Sequence, residues 1–280
     1  MGDSLGRTEV HDLRSEVVGD TFRIFVGHCG PDPQAILFVT DANGLFALAV
    51  DTVRLMQIPG LVPPLLVVGV GYPDAEAVID TVAIRSRDLT PTPSSRFPGS
   101  GHADAFIEFV SEELRPWIAN RFPTAAGDVT YFGHSLGGLF GAYTLLTATS
   151  TFDRYICSSP SLSWDNEVIF DIERQRPNSD RLNSEVFFGI GSLETDTGRR
   201  REAFNLADGH PAKPPDAHLD MVDDLKRFVD QLEERTDPTL RINSAEIDNE
   251  FHATVPAIVL NRALRSFHAP PIEPSAGEVI

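Results

Sequence analysis

The chain has 280 residues, of which 41% are hydrophobic and 23% are charged, a composition typical of a globular protein. Its net charge of −18 repels phosphate backbones and anionic lipid, so the composition predicts neither a nucleic-acid partner nor a membrane partner. The sequence has no run of eighteen apolar residues and no signal-peptide pattern, and Cys29 and Cys157 match no metal or redox spacing. We therefore expect a cytoplasmic protein with two free thiols.

The first third of the chain predicts three strands and a helix. Residues 20–28 alternate between apolar and polar side chains, as a half-buried strand does. Residues 34–41 and 65–72 are nearly continuous apolar runs, which suit strands covered by helices on both faces. Between them, residues 44–58 have the apolar spacing of a helix.

The middle third predicts a long loop, a helix, and a strand that turns directly into a second helix. Residues 85–101 are rich in Pro, Ser and Gly, and their length favours a functional or mobile loop. Residues 101–122 have the pattern of an amphipathic helix. The β-forming run 129–132 then breaks into a glycine-rich turn, and an apolar helical stretch follows.

The last third alternates between strands and helices again. The sequence predicts strands at residues 152–160, 184–192 and 240–248, and helices at 216–235 and 255–267. Such alternation predicts an α/β fold with a mostly parallel central sheet, helices on both faces and an antiparallel N-terminal edge made by the two earliest strands. No shift in composition marks a second domain, so we expect a single domain over residues 1–268 and a disordered tail over 269–280.

The pentapeptide at residues 133–137, Gly-His-Ser-Leu-Gly, has the pattern of a nucleophile elbow. A very tight strand–turn–helix lifts the serine clear of its own backbone, and it crowds the residues two before and two after. Glycine at 133 and 137 relieves that crowding. Because a strand is predicted before this turn and a helix after it, Ser135 is predicted to be the nucleophile of an ester hydrolase.

A serine nucleophile needs a base and an acid that orients the base, and in this arrangement they follow the serine in the order acid, then histidine. Glu194 is the first carboxylate after the predicted strand 184–192, with Asp196 in reserve. His252 directly precedes the last helix, where the base is expected. His210, His218 and His268 lie in less suitable places, and His134, inside the elbow, is expected to point away from the site.

The oxyanion hole of such a site needs two backbone N–H groups. Leu136, which follows the nucleophile, is predicted to supply one. The turn after an early strand is predicted to supply the other, from Asn43 or, in reserve, Ala42. Tyr72 and Trp164 are further candidates for contact with the substrate, although Trp164 fits the core equally well. No complete dinucleotide fingerprint or metal-ligand spacing is present, so we expect no cofactor and no metal.

Seven segments between residue 34 and about residue 267 together resemble the branch of the α/β-hydrolases called "putative esterases", which includes the esterase D type, mycolyltransferases and siderophore esterases. The segments are FVTDANGLFALAVD, LLVVGVGYP, RSRDLTPTP, YFGHSLGGLFGAYTLL, FDRYICSSPSLSWDNE, GIGSLE and FHATVPAIVLNRALRSF. RDLTPT and SPSLSWDNE most resemble the siderophore-esterase subgroup.

The resemblance implies that Ser135 is the nucleophile and His252 the base, and that Arg85 and Arg87 lie near the substrate. It leaves open whether Glu194 completes a triad or a Ser-His dyad suffices. We predict a serine esterase acting on a small-molecule ester, with a preference for neutral or weakly charged esters because of the net charge. The alternatives are a siderophore or macrolactone esterase, an acyltransferase and a binding protein without turnover. The sequence does not fix the oligomeric state.

Overall fold

The computed structural model describes residues 7–73, 75, 81–205 and 218–268. The predicted tail 269–280 and His210 lie outside the described residues. Among the described residues, no helix is both long enough and apolar enough to cross a membrane.

The described strands form one sheet of eight, in the order β1-β2-β4-β3-β5-β6-β7-β8. The neighbours from β4 to β8 pair in parallel, whereas β1 pairs antiparallel with β2 and β2 antiparallel with β4. The predicted α/β fold with an antiparallel N-terminal edge is therefore confirmed. The strands are β1 Thr8–Arg14, β2 Thr21–Cys29, β3 Ala35–Val39, β4 Leu65–Gly71, β5 Val129–His134, β6 Arg154–Ser158, β7 Ser184–Gly191 and β8 Leu240–Ile247.

Helices cover both faces of the sheet and bury two apolar layers. Helices α1 and α9 pack on one face, and α3, α4, α5, α6 and α8 contribute to the layer on the other. The helices are α1 Ala42–Gln57, α2 Val82–Asp88, α3 Ala103–Glu108, α4 Arg115–Arg121, α5 Leu136–Thr147, α6 Val168–Gln175, α7 Asp196–Asn205, α8 Met221–Glu234 and α9 Val255–His268. A π-helical turn, Phe109–Leu114, joins α3 to α4, so the predicted helix 101–122 is present with one change of pitch.

The antiparallel edge contains β2, as expected, but its other strand differs from the prediction. Strand β1 was not predicted, because its side chains alternate only between exposed and partly buried and so carry a weak apolar pattern. The predicted strand 34–41 is instead β3, which lies inside the sheet and pairs in parallel with β4 and β5. The two earliest strands of the structure, β1 and β2, make the edge.

Three short helices were also missing from the sequence prediction. The predicted loop 85–101 is wrong at its start, because α2 continues to Asp88 and buries Arg85, Ser86 and Asp88. Helices α6 and α7 follow the turns after β6 and β7. All of the turns that contain the predicted catalytic residues lie at the carboxyl edge of the parallel strands, where open α/β sheets bind their ligands.

Candidate active site

Ser135 lies between β5 and α5 with a backbone φ of 61° and ψ of −116°, a conformation that residues other than glycine rarely adopt. The two flanking glycines are sterically required. A Cβ on Gly133 would lie 2.3 Å from Tyr131 Oη and 2.5 Å from the carbonyl carbon of Gly137, and a Cβ on Gly137 would lie 2.6 Å from Thr40 Oγ1. The local geometry is therefore that of a nucleophile elbow.

His252 and Glu194 lie in hydrogen-bond contact at the ends of adjacent strands. Glu194 is in the turn after β7, and His252 is in the turn after β8. The Nδ1–H of His252 donates to Glu194 Oε2 at 2.6 Å. The ring of His252 also packs on that of His134, the residue before Ser135, with ring centroids 4.4 Å apart. The fold thus brings the predicted acid and base to the elbow.

The carboxylate of Glu194 is fully buried and hydrogen-bonded through both oxygens. Oε1 accepts from Ser159 Oγ at 2.6 Å and from the Gly191 N–H at 2.8 Å, and Oε2 accepts from His252. Its backbone carbonyl accepts from the Met221 N–H at the start of α8. Burial raises the pKa of Glu194, while the hydrogen bonds from Ser159 and Gly191 oppose that rise. Asp196, the reserve acid, instead pairs with Arg200.

His134 faces the base, although the sequence predicted that it would point away. Its Nδ1 lies 3.0 Å from Ser158 Oγ. Burial, and then the nearby charge of His252, lower the pKa of His134 well below its ordinary value. A neutral imidazole therefore packs against His252. Of the other histidines, His218 contacts Asp224 at 2.8 Å and His268 ends α9.

The two segments predicted to form the oxyanion hole lie against each other. Leu136 is the first residue of α5, and the N–H groups of a first turn have no acceptor within their own helix. The Tyr131 hydroxyl joins the segments, because it lies 3.0 Å from Thr40 Oγ1 and donates to the Gly137 carbonyl at 2.6 Å. The facing turn continues into α1, of which Ala42 is the first residue and Asn43 the second.

The side chain of Asn43 ties this turn to the end of β4. Its Nδ2 donates to the carbonyls of Tyr72 at 3.0 Å and Ala75 at 2.7 Å, and its Oδ1 accepts from the Tyr72 N–H at 2.8 Å. These contacts fix the first turn of α1 and occupy the Asn43 side chain, so that the backbone N–H of Asn43 is the candidate oxyanion donor, with the N–H of Ala42 in reserve.

Arg85 forms a buried ion pair with Asp41 rather than lying on an open substrate surface. Its Nε and one terminal nitrogen donate to the two Asp41 oxygens at 2.7 and 2.6 Å. Asp41 precedes α1 with a φ of 54°, so this pair holds the turn that faces the elbow. Sequence reasoning missed Asp41, because nothing local links it to an arginine 44 residues away.

Arg87 and Tyr72 are also committed to internal contacts. All three guanidinium nitrogens of Arg87 have acceptors, on Asp88 for Nε and one terminal nitrogen and on Asp20 for the other. The buried Tyr72 hydroxyl donates to Asp88 at 3.1 Å. Both side chains are thus held by the fully buried Asp88, and their contact with substrate stays a prediction.

Trp164 belongs to the core rather than to an open pocket wall, since only 8% of its surface is exposed. Its indole N–H donates to the Thr92 carbonyl at 3.1 Å, and its ring stacks on Phe97 at 5.4 Å. The segment after β6 is thereby joined to the loop after α2. In that same segment, Ser161 Oγ lies 3.4 Å from Ser135 Oγ, a contact that no motif in the sequence indicated.

One cluster among the described residues has the donor types of a metal site. Ligand atoms of Glu167, His218 and Asp224 lie within 4.8 Å of one another. The guanidinium of Arg227, however, donates to both Glu167 and Asp224 at 2.6–3.1 Å, so a cation of the chain already lies between these carboxylates. A cavity of about 560 Å³ lies at the opposite edge of the sheet, and none of the residues that line it is a predicted site residue.

The chain matches proteins of known activity over most of its length. The family model described as "Putative esterase" matches residues 62–219. Ferri-bacillibactin esterase BesA of Bacillus subtilis is 28% identical over 92% of this chain and 88% of its own. Siderophore triacetylfusarinine C esterase of Aspergillus fumigatus is 30% identical over 85% of this chain and 82% of its own.

The solved structure of siderophore hydrolase EstB from Aspergillus nidulans superposes with a TM-score of 0.76 at 27% identity, over 96% of this chain and 97% of its own. These matches confirm the resemblance drawn from the sequence motifs. The chain belongs to the "Putative esterase" family and is an enzyme that hydrolyses ester bonds.

Proposed function

We propose that the chain hydrolyses the ester bonds of siderophores through an acyl-enzyme on Ser135. The observation that carries the catalytic assignment is the 2.6 Å hydrogen bond between His252 Nδ1 and Glu194 Oε2, with the His252 ring packed beside the Ser135 elbow. The substrate class is supported by the two relatives above, which are both siderophore esterases and align over more than four fifths of this chain.

In the proposed mechanism, Ser135 Oγ attacks the ester carbonyl and His252 Nε2 accepts the serine proton. Because Glu194 accepts from Nδ1, the imidazole is held in the tautomer whose Nε2 is free to take that proton. His252 then protonates the leaving alkoxide. A water molecule, activated by the same nitrogen, releases the acid and restores the Ser135 hydroxyl.

Backbone N–H groups stabilise the tetrahedral intermediates in this mechanism. We assign one of them to Leu136, at the start of α5, and the second to Asn43, at the start of α1. Developing negative charge is favoured there because both groups belong to the first turn of a helix. The Arg85–Asp41 pair supports the second donor by holding its turn.

The full set of contacts around Glu194 favours a catalytic triad over a Ser-His dyad. Burial disfavours the charged form of Glu194, so this carboxylate costs folding free energy. A role in catalysis accounts for that cost. Here one carboxylate oxygen of Glu194 accepts from fixed donors and the other accepts from the base.

A cytoplasmic location stays a prediction from the sequence.

The decisive experiment compares catalytic efficiency on three esters. Bacillibactin and triacetylfusarinine C, iron-free and ferric, are tested beside a short neutral alkyl ester, with product acids identified by mass spectrometry and Ser135→Ala as the control. We expect kcat/KM on one siderophore to exceed that on the alkyl ester at least a hundredfold, or about 2.7 kcal/mol of additional transition-state binding. Equal or lower efficiency on both siderophores would overturn the proposed substrate class and favour neutral esters.

A further inference from the structure

Ser159, the residue that follows β6 by one position, has a backbone that disfavours serine. Its φ is 41°, in the left-handed region that favours glycine, and the residue is fully buried. Its N–H donates to the Gly189 carbonyl of β7 at 2.7 Å, so the main chain here is fixed to the neighbouring strand. Glycine would fit this backbone better, and what serine adds is a hydroxyl.

Among the residues that the structure describes, that hydroxyl makes one short contact, to the acid of the proposed triad. Ser159 Oγ donates to Glu194 Oε1 at 2.6 Å, beside the 2.8 Å bond from the Gly191 N–H to the same oxygen. With Oε1 held by two donors, Oε2 is left facing His252 Nδ1 at 2.6 Å. The hydroxyl thus determines which carboxylate oxygen meets the base.

From this geometry we infer that Ser159 is a positioning residue, which holds the Glu194 carboxylate so that Oε2 orients and supports His252. The inference rests on the proposed catalytic role of Glu194 and extends it to a residue outside the triad. It also accounts for a strained, buried serine at this position, because glycine would ease the backbone but leave Oε1 with one donor.

The proposal concerns ionisation as well as orientation. Burial raises the pKa of Glu194, and the Ser159 hydrogen bond is the largest of the contributions that oppose this rise. Without the hydroxyl, the active pair of charged Glu194 and neutral His252 loses a donor that stabilises its carboxylate. The pair then takes up a proton at higher pH. With that proton on Glu194, the carboxyl group has lost the negative charge that stabilises the His252 imidazolium formed during catalysis.

The test is Ser159→Gly, measured with the short alkyl ester so that it does not depend on siderophore recognition. We expect the Ser159→Gly variant to be more stable than Ser159→Ala, because both lose the hydroxyl and only glycine relieves the strain at φ 41°. We expect kcat/KM to fall at least tenfold, mainly through kcat, and the acidic limb of its pH profile to move to higher pH. Ser159→Ala, which keeps the strain, should show the same kinetic loss at lower stability.

A double-mutant cycle with Glu194→Ala shows whether Ser159 acts through Glu194. We expect Ser159→Gly to add no further loss in that background. Ser15→Ala is the matched control, since Ser15 is fully buried and its hydroxyl accepts a 3.0 Å hydrogen bond from the Val18 N–H in the turn after β1. This control should leave kcat/KM and its pH profile unchanged.

Three outcomes would overturn the positioning role. One is a folded Ser159→Gly enzyme with wild-type efficiency and pH profile, and another is an equal loss in the Glu194→Ala background. The third is full activity in Glu194→Ala itself, which would leave no acid to position. Failure of the proposed function is distinguishable from all three, because it would show as an active Ser135→Ala variant or as siderophores left uncleaved.

Discussion

Three side chains from three strand ends converge on the proposed chemistry, and each is held by neighbours that do not react. Ser135 is held by the elbow backbone, Glu194 by Ser159 and Gly191, and His252 by Glu194 and by the ring of His134. These hydrogen bonds and ring contacts are short and buried. Small changes in them should therefore alter the turnover rate more than the free energy of unfolding.

Ser135→Ala should abolish ester hydrolysis, on the order of 10⁶-fold in turnover, without unfolding the protein. The reason is that the acyl-enzyme needs the hydroxyl, whereas alanine tolerates the same backbone about as well as serine does. His252→Ala should be about as damaging, since nucleophile and base act as one unit. Steady-state kinetics and labelling by a fluorophosphonate probe check both variants, with circular dichroism to confirm folding. More than a few per cent of residual activity in either would contradict the assignment.

Glu194→Gln should separate activity from stability. Glutamine can donate to His252 Nδ1, which leaves a proton on Nε2, and this tautomer cannot accept the serine proton. Because the pKa of Glu194 is raised in the fold, the folded state binds its proton more tightly than the unfolded chain. The carboxylate therefore costs stability as pH rises above 4.5 through the raised pKa.

Thermal melts of Glu194→Gln and the wild type check this sign. The variant's melting temperature relative to the wild type should be higher at pH 8 than at pH 4, while turnover falls by orders of magnitude at both. A relative melting temperature that fell between pH 4 and pH 8 would mean that the buried carboxylate stabilises the fold.

At the scale of elements, the tight turn from β5 to α5 is crowded by backbone atoms, which cannot move aside for an added side chain without a large cost in stability. The position of a Cβ on Gly133 lies 2.5 Å from backbone atoms of Gly137, so the elbow itself would have to open. Other positions require glycine for the dihedral angles alone. Gly60, for example, has a φ of 75°, and a Cβ at this position would have no atom within 4 Å.

Gly133→Ala should therefore cost more stability than Gly60→Ala and should also abolish activity. We expect a loss of about 3 kcal/mol for Gly133→Ala through overpacking, and about 1 kcal/mol for Gly60→Ala through backbone strain. Denaturant unfolding and esterase assays on both variants check the contrast. Equal losses of stability with activity kept in both would show that the elbow is not crowded.

The predictability of these elements follows from how local their signals are. Within residues 133–137, the two glycines next to the serine's neighbours are enough to indicate a crowded turn. Glu194 and His252 were expected because each is a polar group in the turn after a strand. By contrast, Arg85 and Arg87 pair with Asp41 and Asp20, which lie 44 and 67 residues away in sequence. No local pattern reports such distant partners, nor does one reveal β1, whose side chains bury neither face fully.

At the scale of the whole molecule, the net charge of −18 sets the long-range field that a substrate meets. Both arginines expected from the sequence to lie beside the substrate are neutralised by buried or half-buried carboxylates. Within the described part of the chain, these two side chains therefore add no net positive charge to the site.

The hydrolysis of a triply anionic ferric trilactone should accordingly become more efficient as salt is added. Screening shortens the reach of the field from about 30 Å at 0.01 M salt to about 8 Å at 0.15 M. We expect kcat/KM for the chelate to rise several-fold across this range, and kcat/KM for a neutral alkyl ester to stay constant. A decrease with salt would instead reveal a local positive field around the substrate.

The two buried cysteines allow the local opening of each apolar layer to be measured by alkylation. Cys29 lies in the apolar layer beneath α1 and α9, and Cys157 lies in the layer on the other face; both are fully buried. Burial raises the pKa of Cys29 to about 11 and raises that of Cys157 further, so neither thiol should react with an alkylating reagent until its own layer is exposed. Matching alkylation rates at the two sites would show that the layers open together, and different rates would identify the layer that opens first.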